Sequence, residues 1–141
     1  MSLPGDSRYY YLLTVGQRRV QRWIRDNSGE DGLTAQQAGV LVYLERHDGS
    51  LIGDVAQALD SLPSAMTGLA DRMVEAGWIE RRQDKGDGRL WRLYLTTAGR
   101  EAGGRARIGL AELNKRLTDG FSNDEMAVVS RWLKSVGDRF G

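Results

Sequence analysis

One segment narrows the choice of fold more than any other. From Trp78 to Gln83, and again from Leu90 to Thr96, the chain reads as a strand; in the second run Trp91, Leu93 and Leu95 alternate inward with Arg92 and Tyr94 outward. Between the two runs Asp84 to Gly88 is Gly-rich and charged, the composition of a tight turn. A single β-hairpin is therefore expected here. On both sides of it the apolar residues step by three and four, so the rest of the chain reads as helix. The predicted class is mainly α with one small β-hairpin.

The helical segments have readable starts and stops. Tyr9, Leu12, Leu13, Gly16, Val20, Trp23 and Ile24 share one face of a first helix that ends near Asp26. A loop from Asn27 to Gly32 leads to Thr34 and Gln37, spaced as a reciprocal capping box, and a second helix runs to about Arg46. Asp48, Gly49 and Ser50 break it, and Ser50 is placed to cap a short helix carrying Ile52, Val55, Ala56 and Leu59. Pro63 suits the first turn of the next helix, which Gly77 stops; Leu62, Met66, Leu69 and Met73 are expected to form its buried stripe. Its outer face then carries Ser64, Thr67 and Asp71, flanked by Ala65, Gly68 and Arg72.

Past the hairpin, Ala98, Ala102, Ala106, Leu110, Leu113 and Leu117 keep helical spacing. Gly103 and Gly104 each disfavour helix by about 1 kcal/mol against alanine, so a kink or a close helix contact is expected there. Ser122 and Glu125 form a second capping box, and Met126, Val129, Leu133, Val136 and Phe140 make a heptad-like stripe that suits a partner helix.

At 141 residues with 40% hydrophobic content the chain is expected to form one folding unit with a real core. It contains no Cys, which excludes disulfides, thiolate metal sites and cysteine nucleophiles, and fits a reducing compartment. No run reaches the roughly 18 apolar residues of a membrane helix, and Pro4, Asp6 and Arg8 before any apolar stretch do not follow a signal-peptide plan, so a cytoplasmic protein is expected. One His, no Gly-rich phosphate loop and no metal-ligand spacing leave little machinery for catalysis. No enzyme, metal or cofactor is predicted.

The formal net charge is only +1, yet the positive charge is local. From Trp78 to Leu95 there are five basic residues (Arg81, Arg82, Lys85, Arg89, Arg92) against three acidic ones, whereas residues 27–60 hold one Arg against six Asp or Glu. Arg18, Arg19, Arg22 and Arg25 form a second group on the first helix, read as a solvated face.

From Ala76 to Gly99 the sequence resembles the MarR family of transcriptional regulators. The resemblance is carried by Gly77-Trp78-Ile79-Glu80-Arg81, by Asp84, Asp87 and Arg89 at the hairpin, and by Leu95-Thr96-Thr97-Ala98-Gly99. It extends over nearly the whole chain and implies a winged helix-turn-helix lobe at 34–96, inside an all-helical dimerisation frame of 1–33 and 97–141. Two positions depart from the family pattern: Gly68 and Gly88 stand where basic residues are frequent.

The implied function is a homodimeric DNA-binding regulator, a repressor by family expectation, reading an inverted repeat in double-stranded DNA. Leu69 to Arg72 fall on the implied recognition helix. Pro63, Ser64, Ala65 and Thr67 bring small side chains close to base edges, with Ala65 suited to a thymine methyl. Arg89 is the preferred minor-groove or phosphate ligand, held by Asp87; Arg72 is expected to pair with Asp84 or reach the DNA backbone, and Arg81 and Lys85 complete the basic set. The resemblance also implies a small aromatic or phenolic effector, for which Tyr11, Trp23, Tyr43 and His47 are the candidate lining. A winged-helix module that binds protein instead of DNA is the alternative.

Overall fold

Side chains cap the starts of three helices. The computed structural model describes residues 8–141; Pro4 and Asp6, on which the signal-peptide reading leans, lie outside them, as does the 1–7 part of the predicted frame. Among the described residues the order is α1 (Arg8–Asp26), a 3-10 turn (Gly29–Asp31), α2 (Ala35–Arg46), β1 (Ser50–Leu51), α3 (Ile52–Ala58), α4 (Pro63–Glu75), β2 (Ile79–Gln83), β3 (Trp91–Leu95), α5 (Thr97–Thr118) and α6 (Asn123–Phe140). The mainly helical expectation with a small hairpin holds. Thr34 Oγ1 accepts from the Gln37 amide at 3.2 Å while Gln37 Oε1 accepts from the Thr34 amide at 3.0 Å, the predicted box. Pro63 begins α4, and Gly77, at φ +83°, lets the chain leave it.

The hairpin gains a third strand that the alternation did not reveal. β1 pairs antiparallel with β3 (Ser50 opposite Leu93, Leu51 opposite Arg92), so the sheet order is β1-β3-β2. Ser50 is thus a strand residue and not the cap of α3: its hydroxyl donates to the His47 carbonyl at 2.5 Å, and α3 starts after Leu51 without a side-chain cap. Gly49, at φ +80°, turns the chain so that its amide donates to the Leu93 carbonyl at 2.8 Å. The Asp48 carboxylate extends that edge, accepting from the Leu95 amide at 2.8 Å.

Two further expectations are corrected. Leu62 is 73% exposed and not part of the buried stripe. It precedes a proline, which holds it in extended backbone (φ −67°, ψ 140°) outside the helical register. Trp91 shares its strand face with Leu93 and Leu95, but they are buried whereas it is 37% exposed, because the hairpin runs out beyond the core at that end.

Contacts divide the described residues into two compact units, one up to Gly109 and one from Leu110 to Gly141. In the first, Val40, Leu41 and Leu44 of α2 pack with Val55, Met66, Met73, Ile79, Leu93 and Ala102 in one core. α1 contributes no fully buried residue to it. At Gly103 an added Cβ would stand 3.4 Å from Leu41 Cβ and 3.3 Å from Glu45 Oε1, so the close helix contact expected from the glycine pair is made by Gly103 against α2, while Gly104 faces open space. The second unit is the end of α5, a turn at Gly120 (φ +84°) and α6, whose Ser122–Glu125 capping box is also formed. α6 buries none of its residues: Val128, Val129, Trp132, Leu133 and Phe140 are all exposed. Among the described residues no helix is long and apolar enough to cross a membrane.

Candidate nucleic-acid interface

Four buried residues, Met66, Leu69, Ala70 and Met73, fasten α4 to the core. Their helical spacing turns Ser64, Thr67 and Asp71 outward, all exposed. Near its start the outer face is small: Pro63, Ser64 and Ala65 carry little beyond the backbone. The Thr67 hydroxyl donates to the Pro63 carbonyl at 3.0 Å, so its proton is spent inside the helix and its lone pairs face outward.

The hairpin tip is ordered by two carboxylates. Asp84 Oδ2 accepts from the Gly86 and Asp87 amides, each at 3.0 Å, and Asp84 Oδ1 accepts from Arg92 Nε at 2.6 Å; Arg92 Nη1 continues to the Gly49 carbonyl at 2.8 Å. The second carboxylate, Asp87, takes Arg89 in a forked pair, Nε at 3.1 Å and Nη2 at 3.0 Å, and leaves the Arg89 side chain 91% exposed. The pairing of Arg89 with Asp87 is as the sequence reading has it. That of Arg72 with Asp84 is not: Asp84 is taken by Arg92, its neighbour across the neck of the hairpin. Arg72 remains on α4 without an ion pair among the described residues.

Both carboxyls sit below the ordinary carboxylate range. For Asp84 the main cause is the hydrogen bond from Arg92, followed by the Gly86 amide; for Asp87 it is the hydrogen bond from the Arg89 side chain. A lowered folded-state pKa means that the stabilisation is present above the usual carboxylate pKa and is lost as pH falls through the lowered one. The amide resonances of Gly86 and Asp87 should therefore titrate with a midpoint below the ordinary aspartate value of about 3.9. A midpoint at or above that value would show that Asp84 does not organise the tip.

The remaining predicted residues separate into two groups. Pro63, Thr67, Arg81 and Arg89 line one groove of about 400 Å³ between α4 and the hairpin, together with Leu90 and Trp91. Ala65 and Arg72 line a different cavity of about 390 Å³ on the other side of α4, with Gly39, Leu59, Asp60 and Ser61. Lys85 stands exposed at the tip and lines neither. Arg81 differs from the open cation the sequence suggests: its Nη1 is 2.5 Å from Asp71 Oδ1 and its guanidinium lies 5.0 Å from the Trp91 ring centroid. Asp71, Trp91 and Arg92 are the residues of this region that sequence reasoning did not select; the i, i+4 spacing of Thr67 and Asp71 is the signal that could have found the first.

The four candidate effector residues do not gather in these cavities. Tyr43 on α2 and His47, the residue that follows its end, stack on each other with ring centroids 4.4 Å apart. Tyr11 is 40% exposed on α1 and Trp23 is half-buried. Neither groove beside α4, nor a third cavity lined by Gln21, Arg25 and Thr34 to Gln36, includes any of the four.

Comparison with known proteins places these features in context. Residues 31–90 match the model of the MarR family. Over 82 residues the chain is 29% identical to the HTH-type transcriptional repressor MdtR of Bacillus subtilis, a match that spans 58% of this chain and about half (53%) of that protein. Among solved structures, the PcaV transcriptional regulator of Streptomyces coelicolor in complex with its natural ligand superposes with a TM-score of 0.89 at 21% identity, covering 100% of this chain and 99% of that one. A MepR–DNA complex from S. aureus gives 0.89 at 21% identity, covering 94% and 98%. A mutant MarR from E. coli complexed with operator DNA gives 0.82 at 23%, covering 95% and 99%. At these identities the structures show a shared fold.

Proposed function

We propose that the chain, whose residues 31–90 match the MarR family model, is a MarR-type transcriptional regulator: a homodimeric, cytoplasmic repressor that reads an inverted repeat in double-stranded DNA. The observation that carries this reading is the groove between α4 and the wing, which holds the small outer residues Pro63 and Thr67 beside two guanidinium groups, Arg81 and Arg89. A major groove about 12 Å wide accepts a helix, and small side chains at its N-terminal half let the backbone approach base edges. Ser64 donates to bases or phosphates, Ala65 packs on a thymine methyl and Thr67 offers its lone pairs to a base amino group, while Arg89, held in a forked pair at the wing tip, reaches the minor groove or the backbone beside it. Arg72, Arg81 and Lys85 supply further positive charge.

The dimer is supported by α6, on which Val128, Val129, Leu133 and Phe140 stand exposed, and by the exposed Tyr10, Leu12 and Leu13 on α1. Two lobes related by a twofold axis would read half-sites about one helical turn apart. Repression is supported by the MdtR relative, a transcriptional repressor, and an effector by the PcaV neighbour, solved with its natural ligand; a small aromatic or phenolic effector is what the sequence resemblance implies. Such an effector acts by binding one spacing of the two lobes better than another.

Fluorescence anisotropy with the DNA upstream of the protein's own gene, against unrelated duplex and over a range of salt, tests the reading. Salt-dependent preference for the upstream duplex supports it; absence of salt-dependent binding to any duplex would overturn it in favour of a protein-binding module. In the same assay Arg89→Ala is expected to weaken binding to all sequences roughly threefold to tenfold and to flatten the slope of log K against log salt by about 0.9, one phosphate contact. An unchanged slope removes Arg89 from the phosphate contacts. Thr67→Ala should change sequence preference with the slope retained.

A further inference from the structure

Among the described residues Arg81–Asp71 is the one side-chain ion pair that joins α4 to the wing. Asp71 follows Thr67 by one turn, so a carboxylate stands on the helix face that the DNA reading turns toward phosphate. Alone it would oppose binding. With its two side chains 34% and 55% exposed, the pair contributes little to folding, which leaves stability a poor account of its presence there.

The geometry around Arg81 suggests another. Asp71 holds the guanidinium by one Nη1 contact and Trp91 supports it from the side, at 5.0 Å from the ring centroid, so a long cationic side chain is kept in one place. A guanidinium has five N–H donors, Asp71 takes one of its nitrogens, and Arg81 lines the groove shared with Pro63, Thr67 and Arg89. Arg89, by contrast, is held by a carboxylate two residues away, within the wing tip itself.

We propose that Asp71 is a specificity-determining residue: it keeps Arg81 from closing on whatever phosphate is nearest and offers it only to DNA seated fully between α4 and the wing. It acts through Arg81 and is thus a positioning residue. The inference rests on the DNA reading above and deepens it. Loosely placed, sequence-independent DNA meets the Asp71 charge without gaining Arg81; correctly seated DNA gains both Arg81 and Arg89.

Asp71→Asn keeps the shape and an acceptor oxygen but removes the charge, and Asp71→Glu keeps the charge. Binding of the full chain to a long duplex of random sequence and to the upstream duplex is measured over a salt series. Asp71→Asn is expected to bind random duplex roughly threefold to tenfold tighter, with a slope steeper by about 0.9, and to lose part of the preference for the upstream duplex. Asp71→Glu should keep the wild-type slope, a readout that a merely structural role would not move. If the Asn variant leaves random-duplex affinity and slope unchanged, or weakens both duplexes alike, the inference is overturned while the DNA reading stands. If wild-type protein shows no salt-dependent binding to either duplex, the DNA reading itself fails and takes the inference with it.

Discussion

Gly99→Ala is expected to destabilise the protein by about 3 kcal/mol, at the upper end of the usual cost of overpacking. A Cβ there would stand 1.8 Å from the Trp78 carbonyl oxygen and 2.9 Å from its carbon, with Leu95 Cδ2 behind it at 3.4 Å. The neighbour is backbone and cannot rotate away. It is also pinned, because the Trp78 carbonyl accepts from the Thr96 amide at 3.2 Å and from the Thr96 hydroxyl at 3.1 Å. Either the start of α5 lifts from the sheet or the mouth of the hairpin opens, and each outcome breaks those bonds. Alanine's better helix propensity returns only about 1 kcal/mol. Gly104→Ala is the matched control, since nothing lies within 4 Å of its added Cβ and the same propensity should make it neutral or slightly stabilising. Urea unfolding of the two variants decides the matter. Equal midpoints would mean that Gly99 does not hold α5 against Trp78.

The largest functional effect is expected from α6. Leu133→Glu places a charge on a stripe that leaves Val129 39% and Leu133 45% exposed, so the substitution removes no core contact. The helical circular dichroism of the chain should survive it. If this stripe is where two copies meet, sedimentation of the variant at micromolar concentration should show a monomer. Affinity for the upstream duplex should then fall by at least about a hundredfold, because a lobe that has lost its twin loses the effective concentration the twin provided. Binding to random duplex, which a single lobe can manage, should fall much less. A variant that sediments like wild-type dimer would place the interface elsewhere.

The features readable in advance were those whose physics is local. Thr34 with Gln37 and Ser122 with Glu125 each close a hydrogen-bonded loop within four residues, and both formed. Pro63 and Gly77 mark the ends of α4 by backbone preference alone. What escaped depends on partners far along the chain. β1 is two residues long, too short to show a period, and exists because Gly49 and Ser50 find Leu93. Asp84 has several arginines within reach by sequence, and which one it takes is settled by the strand register that brings Arg92 to the hairpin neck. Arg81 reads as an open cation until the fold sets Asp71 and Trp91 beside it. Leu62 misleads for a different reason: its spacing continues the stripe of α4, but the following proline keeps it out of the helix. For the outer face of α4 and the exposed Arg89, the sequence and the geometry coincide, and of the four aromatic candidates for an effector site the fold stacks Tyr43 on His47.

The Asp48 carboxylate accepts the Leu95 amide with one oxygen and, with the other, Arg100 Nη2 at 3.1 Å. Thr96 meanwhile stitches the first turn of α5 to the carbonyls of Gly77 and Trp78. The mouth of the hairpin and the first turn of α5 are thus tied at two separate points, Asp48 and Thr96, and a force on that turn is passed to the sheet through those bonds.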